Sequence, residues 1–292
     1  MTPAARLRQL LQGPRMLVAP GAYDAISALT IQQAGFELAY MTGSGTAASL
    51  GFPDLGLITM TEMVENAARI ARTVDIPLIA DADTGYGNEL NVTRTVREYE
   101  SRNVAGLHIE DQVAPKRCGH LDGKEIVSRE EFVTKIRAAV QARRSPDFLI
   151  IARTDSRAVA GLDEAVARAR AALAAGADMA FVEAAQSLEE VAAIPRLVNG
   201  PCLLNLVAGG KTPSVGFDEA QSMGYRLTIL PGLLFRNAIA TFDRVLGEVK
   251  ANRRMGSIPG ADNVKGGFQR FGMDEWNAIR DQAAASMASQ RP

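Results

Sequence analysis

Six polar residues interrupt apolar runs at matching places: Asp81, Asp83, Glu110, Arg153, Glu183 and Asn205 each stand where a short hydrophobic stretch ends. In Ala80-Asp81-Ala82-Asp83 the carboxylates are two positions apart, and in an extended chain such residues project to one side. Glu110, in His108-Ile109-Glu110-Asp111, would add a third oxygen ligand. An all-oxygen set suits magnesium, whereas zinc would call for histidine or thiolate neighbours. The alternative is that Asp81 and Asp83 only satisfy backbone donors in a turn. Lys116-Arg117-Cys118-Gly119-His120 sets a thiol among cations, which should lower its pKa and make thiolate available for proton transfer. On a long connection between Pro115 and Gly123 the thiol could close over a substrate, or simply lie on a basic surface loop. In Thr42-Gly43-Ser44-Gly45 the glycines would let backbone N–H groups approach an anion. His108 reads as a packed histidine, Cys202 as a core thiol, and Arg168 and Arg170 as solvated helix faces.

These residues form a site only if the runs that precede them are strands of one sheet. The strand candidates are Met16 to Ala19, Glu37 to Met41, Pro77 to Ala80, Gly106 to Ile109, Phe148 to Ala152, Met179 to Val182, Cys202 to Leu206 and Arg226 to Leu230. Between them, Asn91 to Arg102, Arg129 to Arg143, Leu162 to Ala175 and Leu188 to Val198 carry apolar residues three and four apart, the spacing of helices with one buried stripe. Ser128 with Glu131 fits a capping box, Asn91 sits as an N-cap would, and Gly176 as a C-cap. Eight strand–helix units predict an α/β fold, a closed TIM-type (β/α)8 barrel, with the polar residues on the C-terminal rim that such barrels use for catalysis. Residues 1–292 read as one barrel domain in which 261–292 are a helical extension. Its helix, Met273 to Ser289, would cap the barrel or dock on a neighbouring subunit.

A chain of 292 residues, 47% of them hydrophobic, can bury one large core. Its 32 basic and 33 acidic residues leave a net charge of -1, which provides no global field for nucleic acid or an anionic membrane. Cys118 and Cys202 stand in unlike contexts, so no disulfide framework is expected. Neither a cleavable leader nor a run of about 18 apolar residues is evident, and a cytoplasmic protein is expected.

In order and spacing these motifs resemble the isocitrate lyase and phosphoenolpyruvate mutase superfamily, and within it the short-chain branch of 2-methylisocitrate and 2,3-dimethylmalate lyases. The similarity runs from about Pro20 to Arg236. It is carried by Tyr40-Met41-Thr42-Gly43-Ser44-Gly45, Gly51-Phe52-Pro53-Asp54, Asp81-Ala82-Asp83, Gly106 to Gln112, Lys116 to His120, Ala152-Arg153-Thr154-Asp155 and Val182-Glu183-Ala184. The resemblance implies a magnesium ion, or manganese, held directly or through water by Asp81, Asp83 and Glu110 with help from Asp54. It implies that Thr42, Gly43 and Ser44 contact the substrate carboxylate or oxo group. Arg153, Glu183 and Asn205 would bind the rest of the substrate, with Arg236, Gly119 and His120 alongside. Cys118 becomes the general acid, Tyr40, ionised beside the metal, the candidate base, and a homotetramer with exchanged C-terminal helices the expected assembly.

The activity so implied is cleavage of a carbon–carbon bond in a methylisocitrate or a substituted malate, releasing an oxo acid such as pyruvate. Two features depart from the lyase pattern: the stretch from Thr42 to Asp54 is one residue shorter than in methylisocitrate lyases, and Ala208 stands where many relatives carry glutamate. Insertions that lengthen isocitrate lyase proper are missing. The competing readings are carboxyphosphonoenolpyruvate mutase chemistry, oxaloacetate hydrolysis or decarboxylation, and a barrel that binds an oxo acid without turnover.

Overall fold

The computed structural model describes residues 1–256 and 263–288. Eight parallel strands close into a barrel in sequence order, β1 pairing with β8. They are β1 Leu17–Ala22, β2 Ala39–Met41, β3 Leu78–Asp81, β4 Gly106–Glu110, β5 Leu149–Thr154, β6 Met179–Val182, β7 Cys202–Asn205 and β8 Leu227–Leu230. The helices are α1 Pro3–Gln12, α2 Ala25–Gln33, α3 Gly43–Ser49, α4 Met60–Thr73, α5 Glu89–Ser101, α6 Arg129–Ala142, α7 Arg157–Ala160, α8 Leu162–Ala174, α9 Leu188–Val198, α10 Phe217–Ser222, α11 Leu233–Asn252, α12 Val264–Gln269 and α13 Met273–Ala288. The (β/α)8 barrel expected from the sequence is therefore the fold. By contact density the chain divides into two compact units, Met1–Ile239 and Ala240–Pro292. The expected end of the tail helix, Ser289, lies outside the described residues.

Alternation along the strands sorts the side chains. Leu38 and Tyr40, Ile79, Leu149 and Ile151, Met179 and Phe181, Leu203, and Leu227 and Ile229 pack together inside the barrel. The residues between them, such as Ala39, Met41, Ala80, Leu107, Ile109 and Ile150, face the helices in a second cluster. The period of two therefore sets Asp81, Glu110, Arg153, Glu183 and Asn205 on the same side as the apolar residues that fill the barrel, one layer higher. At the other end, Ala4 and Leu7 of α1 join the interior cluster and plug the barrel.

Several local expectations shift. Strands β3, β4 and β5 run on to include Asp81, Glu110 and Arg153, because these residues pair in register, Asp81 with His108 and Glu110 with Arg153. Strand β1 continues to Ala22, which pairs with Met41. The N-cap of α5 is Asn88, not Asn91; Asn91 is its reciprocal partner three residues on. Ser128 caps α6, accepting from the Glu131 N–H at 3.1 Å. Gly176, at φ +103°, lies one residue beyond the Ala175 C-cap. Arg168 is not a solvated face: it is buried, donating to Asp111 Oδ2 at 3.1 Å and to the Val127 carbonyl at 2.8 Å. A carboxylate deep in the next layer gives a helix-borne guanidinium reason to turn inward. Arg170 stays exposed. No helix among the described residues is long and apolar enough to cross a membrane.

Leu7 is fully buried at the barrel floor. Its substitution, Leu7→Ala, is expected to lower unfolding free energy by about 2–5 kcal/mol through the cavity it leaves. Urea denaturation checks this; a loss within error of zero would mean that α1 does not seal the barrel.

Candidate active site

At the C-terminal mouth lies a cavity of about 220 Å³. Tyr40, Thr42, Ser44, Asp54, Asp81, Cys118, Gly119, His120, Arg153, Glu183, Asn205 and Arg236 all line it, so most of the residues singled out in the sequence converge. Gly43, Asp83 and Glu110 do not. Gly43 and Asp83 border a small recess on the far side of Lys116, and Glu110 is fully buried beneath Arg153. Asp83 fails to project beside Asp81 because β3 ends at Asp81 and Asp83 takes φ +45°. Its N–H donates to Asp81 Oδ1 at 2.9 Å, so the turn role of this aspartate is also real. The Thr42–Gly45 stretch is not a loop but the start of α3, with Thr42 as N-cap. A side chain at Gly43 would collide with the Asp81 carboxylate, its Cβ falling 2.9 Å from Cγ.

Two cations hold the acidic groups. The Lys116 ammonium pairs with Asp54 and, at 2.9 Å, with Asp83 Oδ1. Burial works against that charge, but Asp83, Asp54, Glu110 and Asp81 outweigh it and keep the pKa well above the ordinary lysine value. The Arg153 guanidinium contacts Glu110 at 3.1 Å, Asp155 at 2.9 Å and Glu183 at 3.5 Å, with the Phe181 ring centroid 5.2 Å from its carbon. Burial lifts the Glu110 carboxyl well above its usual range despite Arg153, and lifts Asp83 to about 6 despite Lys116. Burial acts on Asp81 as well, yet His108, Lys116 and Arg153 together hold it below the carboxylate range.

Tyr40 and Cys118 both lie in surroundings of low dielectric. The Tyr40 hydroxyl lies 3.3 Å from Asp81 Oδ2 and 2.9 Å from His108 Nε2. Burial and the Asp81 charge push its pKa far up, so the protein groups alone favour the neutral phenol, not the ionised one. Burial and Asp54 likewise raise the Cys118 thiol, although the cationic sequence around it pointed downward. The reason is spatial: Lys116 is already spent on Asp54 and Asp83, and low dielectric disfavours thiolate. A thiol kept protonated suits a proton donor. Cys202 is the expected core thiol, buried and raised to about 12. His108 is packed as expected, stacked on Tyr40 and edge-on to Phe181, with its pKa lowered to about 4 chiefly by burial.

Sequence reasoning missed Lys116, Lys124, Asp155 and Phe181 as site members. Asp155 was findable, since it repeats at Arg153-Thr154-Asp155 the two-residue spacing of Asp81 and Asp83. Lys116 was taken only for its effect on the thiol, and Lys124 stood in no motif.

Among the described residues no three His, Cys, Asp or Glu side chains stand as a ready ligand set for a metal. The donor chemistry nonetheless fits a hard cation. Glu110 Oε1 is buried without a hydrogen-bond donor, Glu110 Oε2 and Asp83 Oδ1 meet only the charges of Arg153 and Lys116, and the acids around Lys116 outnumber the cations that balance them. Magnesium keeps most of its waters and tolerates such indirect contact.

Burying so much charge at one rim is a cost that packing alone would not offset, and marks the chain as a (β/α)8-barrel enzyme. Residues 7–250 match the family described as phosphoenolpyruvate phosphomutase. The chain belongs to this family and to the wider isocitrate lyase and phosphoenolpyruvate mutase superfamily. It is 52% identical over 232 residues to a 2,3-dimethylmalate lyase of Eubacterium barkeri, covering 79% of this chain and 80% of that protein. With a 2-methylisocitrate lyase of Aeropyrum pernix it shares 46% over 247 residues, 85% and 80% of the two chains. A solved structure of oxaloacetate acetylhydrolase with 3,3-difluorooxalacetate superposes with a TM-score of 0.93 at 40% identity, covering 97% of each chain.

Replacing Lys116 by Met leaves Asp54 and Asp83 uncompensated. In chelator-treated buffer Lys116→Met is expected to lose about 3–5 kcal/mol of stability at pH 8. Asp83 titrates at about 6 with Lys116 beside it and higher without it, so the variant takes up the proton first and the loss shrinks as pH falls toward about 6. Urea unfolding at pH 8 and pH 5 tests it; equal losses at both would assign Lys116 to packing.

Proposed function

We propose that the protein is a magnesium-dependent carbon–carbon lyase that cleaves a 2-hydroxy di- or tricarboxylic acid, of the substituted malate or methylisocitrate type, into an oxo acid such as pyruvate and a carboxylic acid. The observation that carries this reading is the meeting in one cavity of a protonated thiol, a paired arginine and a phenol backed by a carboxylate. The 52% identity to a 2,3-dimethylmalate lyase supports the same reading.

Arg153 binds a substrate carboxylate, its charge held in place by Glu110 and Asp155. Thr42 and Ser44 offer hydroxyls from the N-cap and first turn of α3 to the oxo-acid end, and Glu183, Asn205, Gly119 and His120 orient the rest. The Asn205 amide donates to Glu183 at 2.9 Å, leaving its own buried oxygen free to accept. Arg236 stands at the rim. Tyr40, reacting through its minor phenolate form, takes the proton of the 2-hydroxyl and ends as the favoured neutral phenol, hydrogen-bonded to Asp81 and His108. The bond to C3 breaks, and the Cys118 thiol delivers its proton to that carbon. Asp54, Asp81, Asp83 and Glu110 would hold a magnesium or manganese ion, which when bound supplies charge neutralisation at the oxo-acid carboxylate.

A homotetramer is proposed as the assembly. Ile239, Phe242 and Leu246 on α11, and Trp276 and Ile279 on α13, are exposed apolar side chains of the kind a subunit interface covers. A cytoplasmic setting goes with two free cysteines.

Purified protein with magnesium and a panel of alkylmalates, methylisocitrate and oxaloacetate is expected to release pyruvate or a homologous oxo acid. Cys118→Ser should lower kcat by about 10²–10⁴-fold, and a chelator should abolish turnover reversibly. Turnover indifferent to Cys118 would end the mechanism, and oxalate with acetate from oxaloacetate alone would move the assignment to hydrolysis. Cation uptake is expected to release a proton and to tighten with rising pH up to about 6, since Asp83 must give up its proton to face the ion. Calorimetry in two buffers of different ionisation enthalpy reads that proton, and a flat profile from pH 5 to 7 would remove Asp83 from the ion's surroundings.

A further inference from the structure

The loop that carries Cys118, Gly119 and His120 is tied down from below by a side chain outside the cavity. Lys124 follows the turn at Gly123, and its side chain is 1% exposed. Its ammonium donates to the Gly119 carbonyl and, at 3.0 Å, to Asp155 Oδ1. Asp155 is itself fully buried and grips Arg153 twice, Nε to Oδ2 at 2.9 Å and Nη2 to Oδ1 at 3.2 Å. Its backbone N–H donates to Asp111 Oδ1 at 2.8 Å, which fixes it to the end of β4. Gly119 rests directly on the arginine: a Cβ there would fall 2.5 Å from Arg153 Nη2 and 2.6 Å from Glu183 Cγ.

We infer that Lys124 is a positioning residue, whose ammonium joins the Gly119 carbonyl to the Asp155 carboxylate and so sets Cys118 over the substrate that Arg153 binds. A buried lysine is tolerated only with its charge paired. Here the partner is shared with the arginine that holds the substrate, and the remaining bond goes to the backbone beside the thiol. The loop and the arginine are thereby referenced to one carboxylate. A lysine that merely neutralised Asp155 would have no reason to reach back five residues to that carbonyl. The catalytic half of this inference rests on the lyase reading above; the geometric half does not.

The test compares the full-length protein with Lys124→Met and Lys124→Arg. The first reading is the rate of alkylation of Cys118 by iodoacetamide without ligand, measured by mass spectrometry with the buried Cys202 as internal reference. Released from its tether, the loop opens locally, and Lys124→Met is expected to react at least about tenfold faster, with Lys124→Arg returning most of the way. The second reading is kinetic: Lys124→Met should lower kcat by about 10²-fold and change KM by less than about threefold. Should Lys124→Met not fold, Lys124→Gln, whose shorter side chain cannot join the Gly119 carbonyl and Asp155 together, takes its place. An unchanged alkylation rate overturns the tether. Faster alkylation with kcat unchanged in an active enzyme overturns the positioning role. Faster alkylation in a protein whose unmodified form turns over none of the panel leaves the tether standing and removes the lyase assignment.

Discussion

A shortage of positive charge governs the mouth of this barrel. Asp54, Asp81, Asp83, Glu110, Asp155 and Glu183 are gathered within one buried region, against Lys116, Arg153 and Lys124. In low dielectric such a surplus is costly, and the side chains share it out. Asp81 keeps its charge beside His108, Lys116 and Arg153, while Glu110 and Asp83 are driven toward the neutral form. The same scarcity explains why Cys118, in a basic stretch of sequence, has no cation to spare and stays a thiol.

The backbone makes this concentration possible. Every strand of the barrel turns its odd or even positions inward together, so a polar residue two places beyond an interior leucine or isoleucine must emerge at the mouth. The floor is then sealed with apolar residues from β1 to β8 and from α1, and the charge is confined to the top layer. Phe181 and His108 mark the boundary between the two, each touching a site residue above and the packed interior below.

Much of this was legible in the sequence because it depends on period and position. The eight strands could be counted from their apolar runs, and the rim residues from where those runs stop. What could not be read depends on which partner a charged side chain finds across the fold. Lys116 reaches Asp54, 62 residues away, and Arg168 reaches Asp111, 57 residues away, and no local pattern encodes either choice. The direction of the Cys118 shift failed for the same reason, since neighbours in sequence were counted as neighbours in space. Asp83 was misplaced because extended geometry was carried two residues past the end of β3, into a left-handed turn. The shift of the α5 cap from Asn91 to Asn88 is subtler: either asparagine could cap, and the chain uses both.

The helix that stoppers the base of the barrel turns the cavity into a cul-de-sac. Whatever enters past Arg236 and the thiol loop has to come out by the same doorway, and a reaction that makes two molecules from one must queue them there. The closed floor thus makes arrival and departure compete for one opening.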